Sequence, residues 1–260
     1  MLLMQARWQE VEAYLTRSDA IVIPTGSVEQ HGPIGLIGTD AICAAAIAQG
    51  MAQQADILVG PEIAFGVAPF NLAFPGTISA KPSTFTALLG DYIRSLAKQG
   101  FRHFYVLNGH GGNIGPAKSA FLEIVGEWSL GQCPPSQDAP HFRLRSWWEY
   151  PQVDALRRQE YGAWEGMHAT PSEIAITQAL HPDLPNGADL APPEALSAAY
   201  LRDHAGDNHG PAEEHRARFP DGRVGSHSSL ATPALGRRLL DLAIADAIAD
   251  FDAFRRGQDH

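Results

Sequence analysis

The sequence predicts an α/β fold: a mostly parallel sheet covered by helices on both faces. Three observations carry this. Short strand-like runs recur at 20–24, 57–59, 103–107 and 142–147. Longer stretches of helical periodicity separate them, so strand and helix alternate along the chain. The strand runs read as continuous apolar segments, as in Ala20-Ile21-Val22-Ile23-Pro24, which suits strands buried on both faces.

The elements follow in order. Residues 6–17 set Trp8, Val11, Tyr14 and Leu15 at helical spacing. After the strand at 20–24, Thr39-Asp40 opens an Ala-rich helix through Gln53, capped by Thr39 or Gly38. Ile57-Leu58-Val59 is a second strand. Pro82-Ser83-Thr84 starts a helix that runs to Lys98 and stops at Gly100. The third strand, 103–107, precedes a helix over 115–128. The fourth is 142–147, and helices at 172–180 and 233–254 complete the alternation. Two stretches break it. Residues 129–141, with Gly131, Pro134, Pro135, Ser136 and Pro140, read as a loop. Residues 181–231 carry scattered Pro, His and Gly, and loops of that length are usually functional or packed on a partner chain. No internal repeat interrupts the pattern, and residues 1–260 read as one domain.

Composition narrows the partners. A net charge of -10 disfavours binding to phosphate backbones, so no nucleic-acid partner is expected. Cys43 and Cys133 lie outside any CxxC and cannot build a disulfide framework. No run of about 18 apolar residues occurs, so no membrane span is expected. The start, Met1-Leu2-Leu3-Met4-Gln5, lacks the basic region of a signal peptide, and the expected location is cytoplasmic. A charged share of only 18% leans toward surface hidden in an oligomer.

In α/β sheets ligands bind beyond the carboxyl ends of the strands. The first strand is followed by Thr25-Gly26-Ser27-Val28-Glu29-Gln30-His31-Gly32-Pro33, and the third by Asn108-Gly109-His110-Gly111-Gly112-Asn113. The fourth leads, after a short helical stretch, to Trp164-Glu165-Gly166-Met167-His168-Ala169 and then Glu173. In an extended segment Glu29 and His31 point the same way, about 7 Å apart, which suits ligands to two neighbouring metals. Asp40 lies in the first turn of a helix, where the dipole favours a carboxylate. Gly109, Gly111 and Gly112 let the backbone around His110 approach a ligand closely. That loop has no Lys and is neither a P-loop nor GxGxxG, which disfavours a nucleotide. Histidines with carboxylates suit Zn, Mn or Fe(II). One divalent ion against Glu29, Asp40 and Glu173 leaves the site net negative; two leave a single positive charge that a hydroxide neutralises.

These blocks, with Gly38-Thr39-Asp40 and Phe74-Pro75-Gly76-Thr77-Ile78-Ser79, resemble the creatininase (creatinine amidohydrolase) family in order and spacing over about residues 20–180. The resemblance implies a creatininase-like three-layer sandwich, a homohexamer and a dinuclear metal site that cleaves C–N bonds of small amides, often cyclic ones or formamides. Carried over, Asp40 is the bridging carboxylate. Glu29 and His110 complete one metal site, and His31 helps form the other. Trp164, Gly111 and Ser79 fall on the substrate side. Creatininases proper have a Glu ligand where this chain has Gly112 and a substrate-touching aromatic where it has Gly111. The Gly-Gly form is similar to branches that include a formamidopyrimidine deformylase and a peptidase of mycofactocin maturation. There, Glu173 is the implied replacement ligand. Ile34-Gly35-Leu36 stands where His-Leu-Pro is usual, which changes the pocket wall.

The expected chemistry is metal-assisted amide hydrolysis, with two ions acidifying a bridging water. His168 passes a proton to the leaving nitrogen, and Glu165 is a second acid/base or orients its neighbours. The alternatives are creatinine amidohydrolase proper and a non-catalytic metal-binding oligomer. His204, His209, His215 and His227 read as solvated loop residues, or as part of a lid or interface. Trp147, Trp148 and Tyr150 read as core or interface packing, or as a pocket wall.

Overall fold

The computed structural model describes residues 1–133, 138–184, 190–205 and 209–257. Helix α1 (Trp8–Leu15) leads into strand β1 (Ala20–Thr25), followed by α2 (Thr39–Gln54) and α3 (Pro82–Ala97). Strand β2 (His103–Asn108), α4 (Ile114–Ser129) and β3 (His141–Ser146) come next. The chain continues through α5 (Pro151–Glu160), α6 (Pro171–Leu180), α7 (Ala198–Asp203), α8 (Ala212–Arg218) and the long α9 (Pro233–Arg255). Pro at the first position of α3, α5, α6 and α9 costs no helical hydrogen bond there.

The sheet is parallel in the order β1-β2-β3. Alternate side chains sort to its two faces, as the period of a strand requires. Ala20, Val22, Tyr105 and Leu107 pack into a core with α2, α5, α6 and α9. Ile21, Ile23, Phe104 and Val106 pack into a second core with α3 and α4. Helices therefore cover both faces, and the three-layer α/β expectation holds. Gly236 lets α9 close on α6, because a Cβ there would collide with Ala175 O.

The second expected strand is a correction. Residues 57–59 make only isolated parallel bridges, Val59 to Leu2 and to Val22, with Ile63 bridging Thr25 farther on. Leu58 O accepts from Val22 N–H and Gly60 N–H donates to Val22 O, so the segment does lie along β1. Pro61, just beyond, has no N–H to continue a ladder. The segment 181–231 is also more ordered than a loop, since it holds α7 and α8. The loop expected at 129–141 and this segment fall in part on 134–137, 185–189 and 206–208, outside the described residues. Among the described residues no helix is long and apolar enough to cross a membrane.

Candidate metal centre

The carboxyl ends of β1 and β2 meet through Asn108. Its Oδ1 accepts from Thr25 Oγ1 (3.1 Å) and from His110 N–H (3.2 Å), and its amide donates to His110 O (2.7 Å). Asn113 donates to Gly26 O (3.0 Å) and accepts from Val67 N–H (3.1 Å), fixing the two glycine-bearing loops against each other. Gly109 lets the β2 loop lie on the first turn of α2, where a Cβ would strike Asp40 O. Asp40 thus sits at a helix N-terminus beside His110. Glu173 is placed by the capping box of α6: its Oε1 accepts from Thr170 N–H (2.6 Å), while Thr170 Oγ1 accepts from Glu173 N–H. His168 lies two residues before Thr170, next to Ala169, whose φ of 57° is in the left-handed region.

Glu29, His31, Asp40, His110, His168 and Glu173 come together, all buried. Asp40 faces both ways. Its Oδ1 is 3.0 Å from His31 Nε2 and its Oδ2 is 3.2 Å from His110 Nδ1. His110 Nδ1 also lies 3.0 Å from Glu29 Oε1, and His31 Nε2 lies 3.8 Å from Glu173 Oε1. His168 Nδ1 is 3.7 Å from Glu29 Oε1.

The outer nitrogens decide the tautomers. His31 Nδ1 is 3.0 Å from Glu29 O, His110 Nε2 is 3.0 Å from Val67 O, and His168 Nε2 is 2.6 Å from Gln30 O. A carbonyl only accepts, so each outer nitrogen carries the proton. In a neutral ring each inner nitrogen then presents a lone pair to carboxylate oxygens. Two acceptors at 3.0 Å need a cation between them, either a proton or a metal. Tethering the outer nitrogen to a backbone carbonyl is the usual way to aim a metal-binding histidine.

Charge points the same way. Burial alone would lower the His31 pKa, but Asp40 and Glu173 outweigh it and lift it to about 10. Burial opposes the His110 shift as well, and Glu29 and Asp40 raise it well above the usual value. Asp40 is held below the carboxylate range by His31 and His110, against burial. Burial raises Glu173 to about 7, and burial drops His168 to about 3, a neutral imidazole. Glu29 Oε1 and Asp40 Oδ2 are buried and receive no hydrogen bond.

The donor set fits divalent ions. Glu29, Asp40 and His110 have ligand atoms within 4.8 Å of one another, as do His31, Asp40 and Glu173; Asp40 is common to both. Glu29, His31 and His168 form a third such group. Imidazole with carboxylate suits Zn, Mn or Fe. At Gly112 a Cβ would collide with Val67 O and come 2.7 Å from His110 Nε2, so no side chain fits without disturbing that tether.

The cluster opens into a cavity of about 320 Å³ whose lining includes Gly111, Ile114, Trp147, Trp148, Glu149 and Arg157. Gly111 lines this cavity. Ser79 and Trp164 are not among the lining residues. Ser79 Oγ accepts from Ala68 N–H (2.9 Å) and donates to Ala80 O, and Trp164 packs edge-on to His227. Glu165 is turned away into an ion pair with Arg157 (2.8 Å) and a short hydrogen bond from Ser172. Sequence reasoning missed Asn71, whose Nδ2 donates to Glu29 Oε2 (3.0 Å) and whose Oδ1 accepts from Gln30. It also missed Arg157. Neither sits in a patterned block; a polar residue in the apolar stretch Pro69-Phe70-Asn71-Leu72 is the only signal for Asn71.

Comparison with known proteins finds similarity along most of the chain. The family model described as creatinine amidohydrolase, Creatininase, matches residues 4–251. A creatinine amidohydrolase of Pseudomonas putida is 29% identical over 68% of this chain and 70% of its own length. A mycofactocin precursor peptide peptidase of Mycolicibacterium smegmatis is 39% identical over 36% of this chain and 40% of its own length. The solved structure of a creatininase with Mn superposes with a TM-score of 0.74 at 21% identity, covering 100% of this chain and 99% of that one.

Proposed function

The chain belongs to the creatininase family, and from that premise we propose that it is a metal-dependent amidohydrolase with two divalent ions per chain, acting on a small cyclic amide or a formamide. The observation that carries the reading is Asp40, one oxygen toward His31 and the other toward His110, with both rings tethered behind by backbone carbonyls. Glu29, Asp40 and His110 would hold one ion, and His31, Asp40 and Glu173 the other. Ions held there supply Lewis acidity toward the amide carbonyl and acidify water toward neutral pH.

The chain's own residues do the rest. His168 keeps a proton on Nε2, donated to Gln30 O, so Nδ1 is the atom that can take up a proton and release it to the leaving nitrogen. Asn71 holds Glu29 Oε2 and so leaves Oε1 for the cluster. Gly111 leaves room where creatininases proper carry an aromatic, which favours a substrate other than creatinine. Native Zn, Mn or Fe, one domain over 1–260, a homohexamer and a cytoplasmic location belong to the same reading.

The test is metal content per chain by elemental analysis on protein purified without chelator, followed by turnover of cyclic amides and formamides. About two equivalents, with activity lost on chelation and regained with Mn or Zn, is the expected result. No bound metal after reconstitution would leave a non-catalytic oligomer.

A further inference from the structure

Arg157 lines the same cavity as the carboxylate cluster and is the only Arg or Lys among the described lining residues. It projects from α5, and its position is fixed from behind. Nε donates to Glu165 Oε1 (2.8 Å) and Nη1 to Trp148 O (2.8 Å). Glu165 is itself buried and anchored by Ser172 from the first turn of α6. A guanidinium has five N–H donors in one plane. Two are spent on these partners, and Nη2 has no hydrogen-bond partner among the described residues. Arg157 lines the cavity together with Trp147 and Trp148. Glu149, the carboxylate at that end, already accepts from Ser146 N–H in a capping box.

A rigid, half-buried guanidinium edge is a recognition device for a planar anion. It is preorganised by its ion pair, and the partner it lacks is an acceptor with two coplanar oxygens. We propose that Arg157 is a specificity-determining residue that binds a carboxylate carried by the substrate, so that the substrates are amides with a free carboxylate, such as N-acyl amino acids or peptide C-termini. Glu165 is then the positioning residue that holds the guanidinium. This rests on the hydrolase reading for its chemistry, while the carboxylate site can be tested apart from it.

The experiment pairs N-formylalanine with its methyl ester on Mn- or Zn-loaded protein. The expected result is a kcat/KM preference for the free acid of about 10–100-fold, the value of one charge-assisted hydrogen-bonded contact. The preference should appear mainly in KM. It should fall to a few-fold in R157K, which keeps the charge and loses the fork, and vanish in R157Q. Metal-dependent turnover without preference would overturn the Arg157 assignment and leave the hydrolase reading standing. If neither compound is turned over, calorimetric titration with N-acetylglycine and N-acetylglycinamide decides the matter. Tighter binding of the acid in wild type, abolished in R157Q, supports the carboxylate site; equal binding, or a preference that R157Q retains, sinks it.

Discussion

Two groups of histidines are linked through Phe70 and differ in what surrounds them. His31, His110 and His168 each spend the outer nitrogen on a backbone carbonyl and turn the inner one toward carboxylates. His204 also spends Nδ1 on a carbonyl, Tyr200 O at 2.9 Å, but it, His209 and His215 lie among rings rather than in the carboxylate cluster. His204 stacks on Tyr200 at 3.8 Å, His209 and His215 lie 4.8 Å apart, and both lean on Phe70. Phe70 touches His168 from its other side and joins the groups. Residue type does not separate a ligand from a packing group. The shared cluster of Glu29, Asp40 and Glu173 in front of the rings does.

The sharpest way to break this contrast is Asp40→Ala. It removes the one carboxylate common to both sets, so both ions and all turnover should be lost; two equivalents retained by elemental analysis would refute the shared role. Glu173→Gln is next. Metal content should fall to about one, and turnover should fall by at least the roughly 10–100-fold that loss of a supporting partner costs such sites. Chelation of the wild-type protein should lower Tm by about 5–10 °C in calorimetry, as expected for a ligand held far above its Kd.

His31 and the ring-packed pair should also answer pH with opposite signs, with His168, lowered to about 3, on the side of the pair. Without metal, the His31 pKa is raised to about 10. Its stabilisation is complete below the unfolded value of about 6.5 and is lost as pH rises through about 10. His209 and His215 are lowered to about 3 and 4, first by burial. They are neutral when folded, so stability is present above about 6.5 and is lost as pH falls toward 4. Chelated protein should therefore show both flanks in a pH–stability profile, and metal-loaded protein should lose the alkaline one. The smallest effect is expected from His215→Phe, which keeps the ring packing. It should soften the acid flank while leaving metal content at wild-type level.

Much of this was legible in the chain. Strands β1 and β2 announce themselves because burial on both faces leaves little choice of residue, and the glycines around His110 mark a close backbone approach. Glu173 was legible as a carboxylate a short step past His168, at the start of a helix. What was hidden is what depends on distant partners. Residues 57–59 have strand composition but too short a ladder. Glu165 looks like an acid/base until Arg157, eight residues earlier on another element, takes its oxygen. Ser79 and Trp164 lie in the right blocks, yet the backbone turns them to Ala68 and His227.

The spacing of the cluster along the chain has a consequence for biogenesis. Glu29 and Asp40 are made early, His110 much later, and Glu173 only once α6 begins, more than 130 residues after His31. The chain must close the β1–β2 pair and dock α6 before the last donor arrives, and such distant contacts form slowly. A half-folded chain that has closed the β1–β2 pair holds Glu29, Asp40 and His110, while the set of His31, Asp40 and Glu173 waits for α6. On the two-ion reading, filling of the second site would be deferred to the near-native chain, and the cap of α6, built on the same Glu173, would complete it.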